Sequence, residues 1–219
     1  MKSVPTMDWL PPFNGKQPEA VMRPAVPERQ RDSARLAVIT TRGRGLLDNI
    51  RIRLEMQRMI RSEARPILIA QAGRRLAYER ILVAADLSSA AAAAACVALE
   101  MWPNAQVVFL HAFEARGENA TLHAQNGESL FSSRALAREA AREKLNGFAD
   151  GICHAHTRVS RVVHHGKPLA VIGNYAARMK TDLIVVGARP ASSPLAYFSK
   201  CAAHRLAEAT SCDVLLATA

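Results

Sequence analysis

From residue 80 onward, short unbroken apolar runs alternate with longer stretches whose apolar residues recur every three or four positions. An unbroken run marks a strand buried on both faces, and the three-to-four spacing marks a helix with one buried side. The first run is Ile81–Ala85, ended by Asp86, after which Ser88 or Ser89 caps an Ala-rich helix running to Trp102 before Pro103. Gln106–Ala112 is the next strand, followed by a polar loop with Gly117 and Gly127 and a helix over Ser133–Leu145. Thr157–Val163 reads as a third strand, and Gly166-Lys167-Pro168 opens a helix with proline at its first position. Leu169, Ile172, Ala176 and Met179 form the stripe of that helix. Leu183–Val186 is a fourth strand ending at Gly187, Ser193-Pro194 caps a helix to about Thr210, and Val214–Ala217 is the last strand. Strands alternating with helices of this length predict an α/β fold, a parallel sheet covered on both faces.

Upstream the pattern is shorter. Leu36-Ala37-Val38-Ile39 reads as a strand, Arg42-Gly43-Arg44-Gly45 as a turn, Leu46–Glu63 as a helix and Ile67–Ala70 as a second strand. Sliding the chain by 147 positions lays Leu36–Ile69 on Leu183–Leu216 without a gap, with Arg42 on Arg189 and Arg58 on Arg205. Identities are few, so either a true internal repeat or two generic strand–helix–strand units accounts for the match. Met1–Arg31 is proline-rich and without periodicity, which predicts a disordered lead. The expected organisation is therefore a lead over 1–33, a small unit over 34–72 and a full domain over 79–219.

Composition adds three constraints. With 49% apolar and 22% charged residues among 219, a packed core is feasible and wholesale disorder is excluded. The longest uncharged apolar run, Ala90–Leu99, is far short of the ~20 residues that span a bilayer, and the first residues carry no secretory apolar stretch. No membrane partner is expected, and the four cysteines, without CxxC spacing, suit reduced thiols in a cytoplasmic protein. Charge is uneven: residues 1–78 hold 15 Lys/Arg against 7 Asp/Glu, while 79–219 hold 14 against 12.

The C-terminal part resembles the universal stress protein family. Arg80-Ile81-Leu82-Val83-Ala84-Ala85-Asp86-Leu87-Ser88, Val108-Phe109-Leu110-His111-Ala112 and Gly166-Lys167-Pro168 carry the likeness. So do Thr181-Asp182-Leu183-Ile184-Val185-Val186-Gly187 and Cys212-Asp213-Val214-Leu215-Leu216. The N-terminal unit is similar to the last strand–helix–strand of the same domain, which implies a tandem protein whose first copy is cut down to its last third. The resemblance implies a Rossmann-like five-stranded parallel sheet in the order 3-2-1-4-5, with ligands beyond the carboxyl ends of its strands.

ATP-binding members of that family carry Gly-x2-Gly-x9-Gly-Ser/Thr after the fourth strand, where glycines let backbone N–H groups approach phosphate. Here Gly187 matches the first glycine, Pro190 replaces the second, and Lys200-Cys201 stand for Gly-Ser. Proline has no N–H to offer, so the cradle is degenerate. Nucleotide binding remains as the alternative: Arg189 and Lys200 as point charges on phosphate, Asp86 on the adenosine end and Ala112 at the base. On the opposite reading Lys200 fills the phosphate space and Asp86 only caps the first helix. No cofactor is expected on that reading, and ATP is the ligand on the alternative.

Other candidates are weaker. Cys153-His154-Ala155-His156 has soft ligands but no second pair, so a solvent loop is expected instead of zinc. His164-His165 is expected to satisfy backbone groups at the turn it precedes. Arg134, Arg138 and Arg142 share a helical face with Glu139 and Glu143 nearby, the pattern of a solvated surface. No Ser/His/Asp order or carboxylate pair suggests catalysis. The basic run Arg51, Arg53, Arg58, Arg61 and Arg65 suits an acidic partner such as nucleic acid, but aromatic residues for base stacking are missing there. The expected function is a non-enzymatic stress-response module that dimerises or binds a partner, with Val214–Ala217 and Ile67–Ala70 as edge-strand contacts to the same chain's full domain or a second subunit.

Overall fold

A computed structural model describes residues 21–22, 36–41, 54, 65–71, 77–114, 127–153, 158–188 and 196–218. Its strands are β1 (Val21–Met22), β2 (Ala37–Thr41), β3 (Ile67–Gln71), β4 (Arg80–Ala84), β5 (Gln106–Phe113), β6 (Val159–His165), β7 (Leu183–Ala188) and β8 (Asp213–Thr218). The helices are α1 (Ser89–Met101), α2 (Gly127–Asp150), α3 (Pro168–Arg178) and α4 (Ala196–Ala209). The predicted helix Leu46–Glu63 lies outside the described residues, apart from Leu54.

The eight described strands form one sheet in the order β1-β2-β3-β8-β7-β4-β5-β6, parallel except where β3 meets β8. Side chains alternate across it. Val83, Val107, Phe109, Val185 and Leu215 face α1 and α2, whereas Leu82, Leu110, Ile184, Val214 and Leu216 face α3 and α4. Leu36, Val38 and Leu68 join the first core and Ile39, Ile67 and Ile69 the second, so the N-terminal strands extend both layers. Continuous apolar runs suit the central strands β4, β7 and β8, neither face of which meets water.

Three elements depart from the sequence reading. α2 runs on past Leu145, through exposed Gly147, because Phe148 and Ala149 continue to pack on the α1 side of the core. Burial there outweighs the helix penalty of one glycine, about 1 kcal/mol. β6 is displaced two residues toward its carboxyl end, since His164 and His165 stay in register with Ala112 and Phe113 and the His165 ring meets Phe113 edge-on. Within the lead segment, Val21–Met22 pairs in parallel with Ala37 and Val38 on the otherwise open edge of β2.

β3 and β8 meet in an antiparallel ladder, Ile67↔Leu216, Leu68↔Leu215 and Ile69↔Val214. The expected contact strands Ile67–Ala70 and Val214–Ala217 therefore pair with each other inside one chain, and these edges are not open to a second subunit while the ladder is formed. At its end Asp213, fully buried, accepts from the Gln71 amide at 2.8 Å and from the Tyr78 hydroxyl at 2.6 Å. Tyr78 also stacks edge-on against Trp102.

Candidate functional site

β4, β5 and β7 run parallel and end on one side of the sheet. From β4 the chain leaves through α1 on one face, while β7 is entered through α3 on the other. The connections thus diverge at the β4–β7 neighbour pair and leave a crevice at the strand ends. It encloses about 320 Å³, bounded by Ala84–Asp86, Leu110–Ala112 and Val186-Gly187 from the strands. Pro168, Leu169 and Ile172 of α3 and Ala202 and Leu206 of α4 close its side. That volume is at the small end of ordinary ligand pockets.

Asp86 stands at the mouth, exposed, in a turn fixed from several directions. The Ser88 amide donates to Asp86 Oδ1 at 3.0 Å, and the Ser88 hydroxyl donates to the same oxygen. Ser88 is the N-cap of α1, its Oγ accepting from the Ala91 amide at 3.2 Å. Asp86 therefore buttresses the cap from outside the helix, and Ser88 carries the capping itself. Between them Leu87 adopts φ 62, the left-handed region, which costs a non-glycine residue about 1–2 kcal/mol. Its side chain packs on the α1 core in return. Ala85 is held on both sides: its amide donates to Leu110 O at 2.9 Å, and its carbonyl accepts from His111 Nδ1 at 2.7 Å. A carbonyl only accepts, so the His111 proton sits on Nδ1. His111 was visible in the sequence only as a lone polar residue in an apolar strand, and its anchoring role depends on β4 lying alongside.

Gly187 faces the first turn of α1. A Cβ there would sit 2.4 Å from Ala90 C and Ala91 N and 2.6 Å from Ala90 O. This glycine is thus required for close approach of main chain to main chain, whatever the crevice holds. Ala112 lines the crevice beside Leu110, on the face of α3. The backbone of Lys200 and Cys201 lies inside α4, at least one turn past its first described residue, Ala196. Amides at such positions bond to carbonyls four residues back and are not aimed outward. Arg189, Pro190, His154 and His156 lie outside the described residues, as do the Lys200 and Cys201 side chains. Of the predicted site residues, the described structure brings Asp86, Ala112 and Gly187 together.

Among the described lining residues only Asp86 and His111 carry polar side chains, and none is a lysine or arginine. Elsewhere, burial pushes the Cys96 thiol above the ordinary 9.0, and the Glu100 charge adds to it. Burial also raises Cys153, against the lowering effect of Arg161. Among the described residues no group of three or more His, Cys, Asp or Glu is placed to hold a metal ion, and no helix is long and apolar enough to cross a membrane.

Comparison with known proteins gives a consistent picture. Residues 77–218 match the family model described as the universal stress protein family. No curated protein matches the sequence. A putative universal stress protein from Pseudomonas aeruginosa UCBPP-PA14 superposes with TM-score 0.58 at 14% identity, over 87% of this chain and 66% of that one. A functionally unknown protein from Pseudomonas aeruginosa PAO1 gives 0.57 at 12%, over 87% and 65%. A universal stress protein from Archaeoglobus fulgidus DSM 4304 gives 0.56 at 16%, over 87% and 64%. The chain spans about two thirds of the length of these three structures.

Proposed function

The chain belongs to the universal stress protein family, whose general role is in stress response, and from that premise we propose that it works by association and not by catalysis, with its phosphate-binding loop degenerate. The observation that carries this reading is that Lys200 and Cys201 lie inside α4 (Ala196–Ala209), which commits their amides to the helix where ATP-binding relatives place Gly-Ser. Pro190 withholds another donor by its chemistry alone. Among its described lining residues the crevice keeps an apolar body and the Asp86 carboxylate, which supports a neutral, nucleoside-sized molecule as its occupant.

We read Arg80–Thr218 as one complete copy of the family domain in the order 3-2-1-4-5, supported by the run β6-β5-β4-β7-β8. The upstream strands are read as a truncated copy. Their support is register: the five β2–β3 pairs from Ala37↔Ile67 to Thr41↔Gln71 fall, 147 residues later, on the β7–β8 pairs from Ile184↔Val214 to Ala188↔Thr218.

Calorimetry with ATP and magnesium, and separately with adenosine, tests the crevice. No heat from ATP is expected, and a micromolar dissociation constant abolished by Asp86→Ala would overturn the proposal in favour of an ATP-binding protein. The position of the crevice at the β4–β7 strand ends is what favours that second reading. Nucleic-acid binding through the basic N-terminal part predicts retardation in a gel-shift series that weakens with salt. Most of that basic run lies outside the described residues.

A further inference from the structure

The 147-residue offset that lays β2 and β3 on β7 and β8 also relates what stands on their outer sides. Beside β7 runs β4, parallel, with Leu82 opposite Ile184 and Val83 opposite Val185. The offset carries Ala37 and Val38 onto Ile184 and Val185, and opposite Ala37 and Val38 stand Val21 and Met22, again parallel. Val21 and Met22 therefore take, residue for residue, the place of Leu82 and Val83. They fill it incompletely. β4 pairs with β7 from Leu183 to Val186, whereas Val21–Met22 pairs with Ala37 and Val38 alone. The Ala37 amide donates to Pro66 O at 2.9 Å, so odd-numbered residues of β2 turn toward β3, while Val38 and Thr40 turn outward. The pairing with Val21–Met22 reaches Val38 and stops short of Thr40.

We infer that the outer edge of β2 is a docking site for a parallel, aliphatic, extended segment of another protein, with Val21–Met22 as its resident and displaceable occupant. The inference rests on the reading of β2 and β3 as a truncated copy, and it gives the association reading its kind of partner. The edge suits a strand that is apolar on both faces. Val38 belongs to the core under α1 and Ile39 to the core under α3 and α4, and both are buried. A strand laid beside them continues both layers, as Ile81–Ala84 does beside β7. The lead segment is a poorer match. Its apolar run is Ala20-Val21-Met22, set between Glu19 and Arg23 with Pro18 and Pro24 next to these, against the five residues of Ile81–Ala85. Prolines at such positions suit a strand that ends a sheet. Tethering favours the lead, since attachment to the same chain gives it a high effective concentration without better contacts. A longer aliphatic segment gains main-chain bonds at Thr40 and apolar contact at Ile39 that Val21–Met22 does not supply.

The probe is a fluorescein-labelled peptide with the sequence of Glu79–Ser88, which contains this chain's own β4. It is titrated into the full chain and into its Val21→Pro variant, which removes a main-chain donor from the lead strand. Fluorescence anisotropy is expected to show binding to Val21→Pro at least about tenfold tighter than to the wild type, because the lead no longer withholds the edge. A peptide carrying Leu82→Pro, the position that takes the place of Val21, is expected not to bind. Hydrogen exchange is expected to find the Val38 amide protected in the wild type, exposed in Val21→Pro and protected again with peptide, and the Thr40 amide protected by peptide alone. No binding to Val21→Pro overturns the inference, as do equal affinities for the two chains, binding of the Leu82→Pro peptide, or protection that leaves Val38 and Thr40 unchanged. If Val21→Pro self-associates, light scattering decides. Saturating peptide is expected to restore single-chain mass, and a mass that peptide leaves unchanged makes a second copy the occupant and overturns the inference. The Ala37 and Ile39 amides, which face β3, separate this failure from that of the truncated-copy reading. Protected in every chain, they leave that reading standing whatever the peptide does; exposed in the wild type, they remove it together with the docking site.

Discussion

Replacing Gly187 by alanine places a methyl group where α1 already stands. The nearest atoms, Ala90 C and Ala91 N at 2.4 Å, are main chain and cannot rotate away. Contact becomes ordinary at 3.4 Å, so the first turn of α1 has to retreat by about 1 Å. Overpacking a core costs about 1–3 kcal/mol, and the upper end applies where the obstacle is backbone. For a chain of this size each kcal/mol moves the unfolding midpoint by roughly 2–4 °C, so a fall of about 6–12 °C is expected in a thermal melt. Gly173→Ala is the matched control. It lies inside α3, and its new methyl would find only Thr210 Cγ2 at 4.0 Å. Both substitutions reduce the freedom of the unfolded chain equally, so that contribution cancels between them. Gly173→Ala should therefore raise stability by about 0.5–1 kcal/mol, the ordinary gain of alanine over glycine in a helix. A Gly187→Ala chain melting within about 1 °C of the wild type would refute the reasoning, since it would mean that β7 and α1 are free to separate at the crevice.

Three further outcomes follow from the same geometry. Asp213→Ala removes an acceptor of the buried Tyr78 hydroxyl and of the half-buried Gln71 amide; denaturant titration should show a loss of about 1–3 kcal/mol, with Asp213→Asn intermediate. Ser88→Ala removes the α1 cap and should cost about 1 kcal/mol in the same titration. Cys96 and Cys153 have thiols raised above 9.0 by burial, so the folded chain holds their protons longer than the unfolded chain does. Stability is therefore undiminished by these groups below pH 9 and falls as pH rises past 9 toward the folded values, the opposite of a depressed carboxylate. Urea midpoints on either side of that pH check the sign, and a midpoint that rises would contradict it.

Apolar runs such as Ile81–Ala85 and Leu183–Val186 determined by themselves that buried strands alternate with helices, because a strand covered on both faces has no polar position to spare. Ser88 and Pro168 likewise announced where α1 and α3 begin, since capping and the missing proline N–H are local chemistry. The substitutions at Pro190 and Lys200-Cys201 were equally legible, being a matter of residue type at fixed spacing. What the sequence left open were contacts between residues distant along the chain. Nothing near Gly187 says that Ala90 and Ala91 press against it, and nothing near His111 says that its proton goes to Ala85. The internal repeat shows the difference most directly. Spacing alone made Leu36–Ile69 similar to Leu183–Leu216, but only the folded sheet put β3 antiparallel against β8 with Leu68 opposite Leu215. Local pattern fixes which faces of a strand are apolar, while the neighbour it pairs with depends on every other strand competing for the same edge.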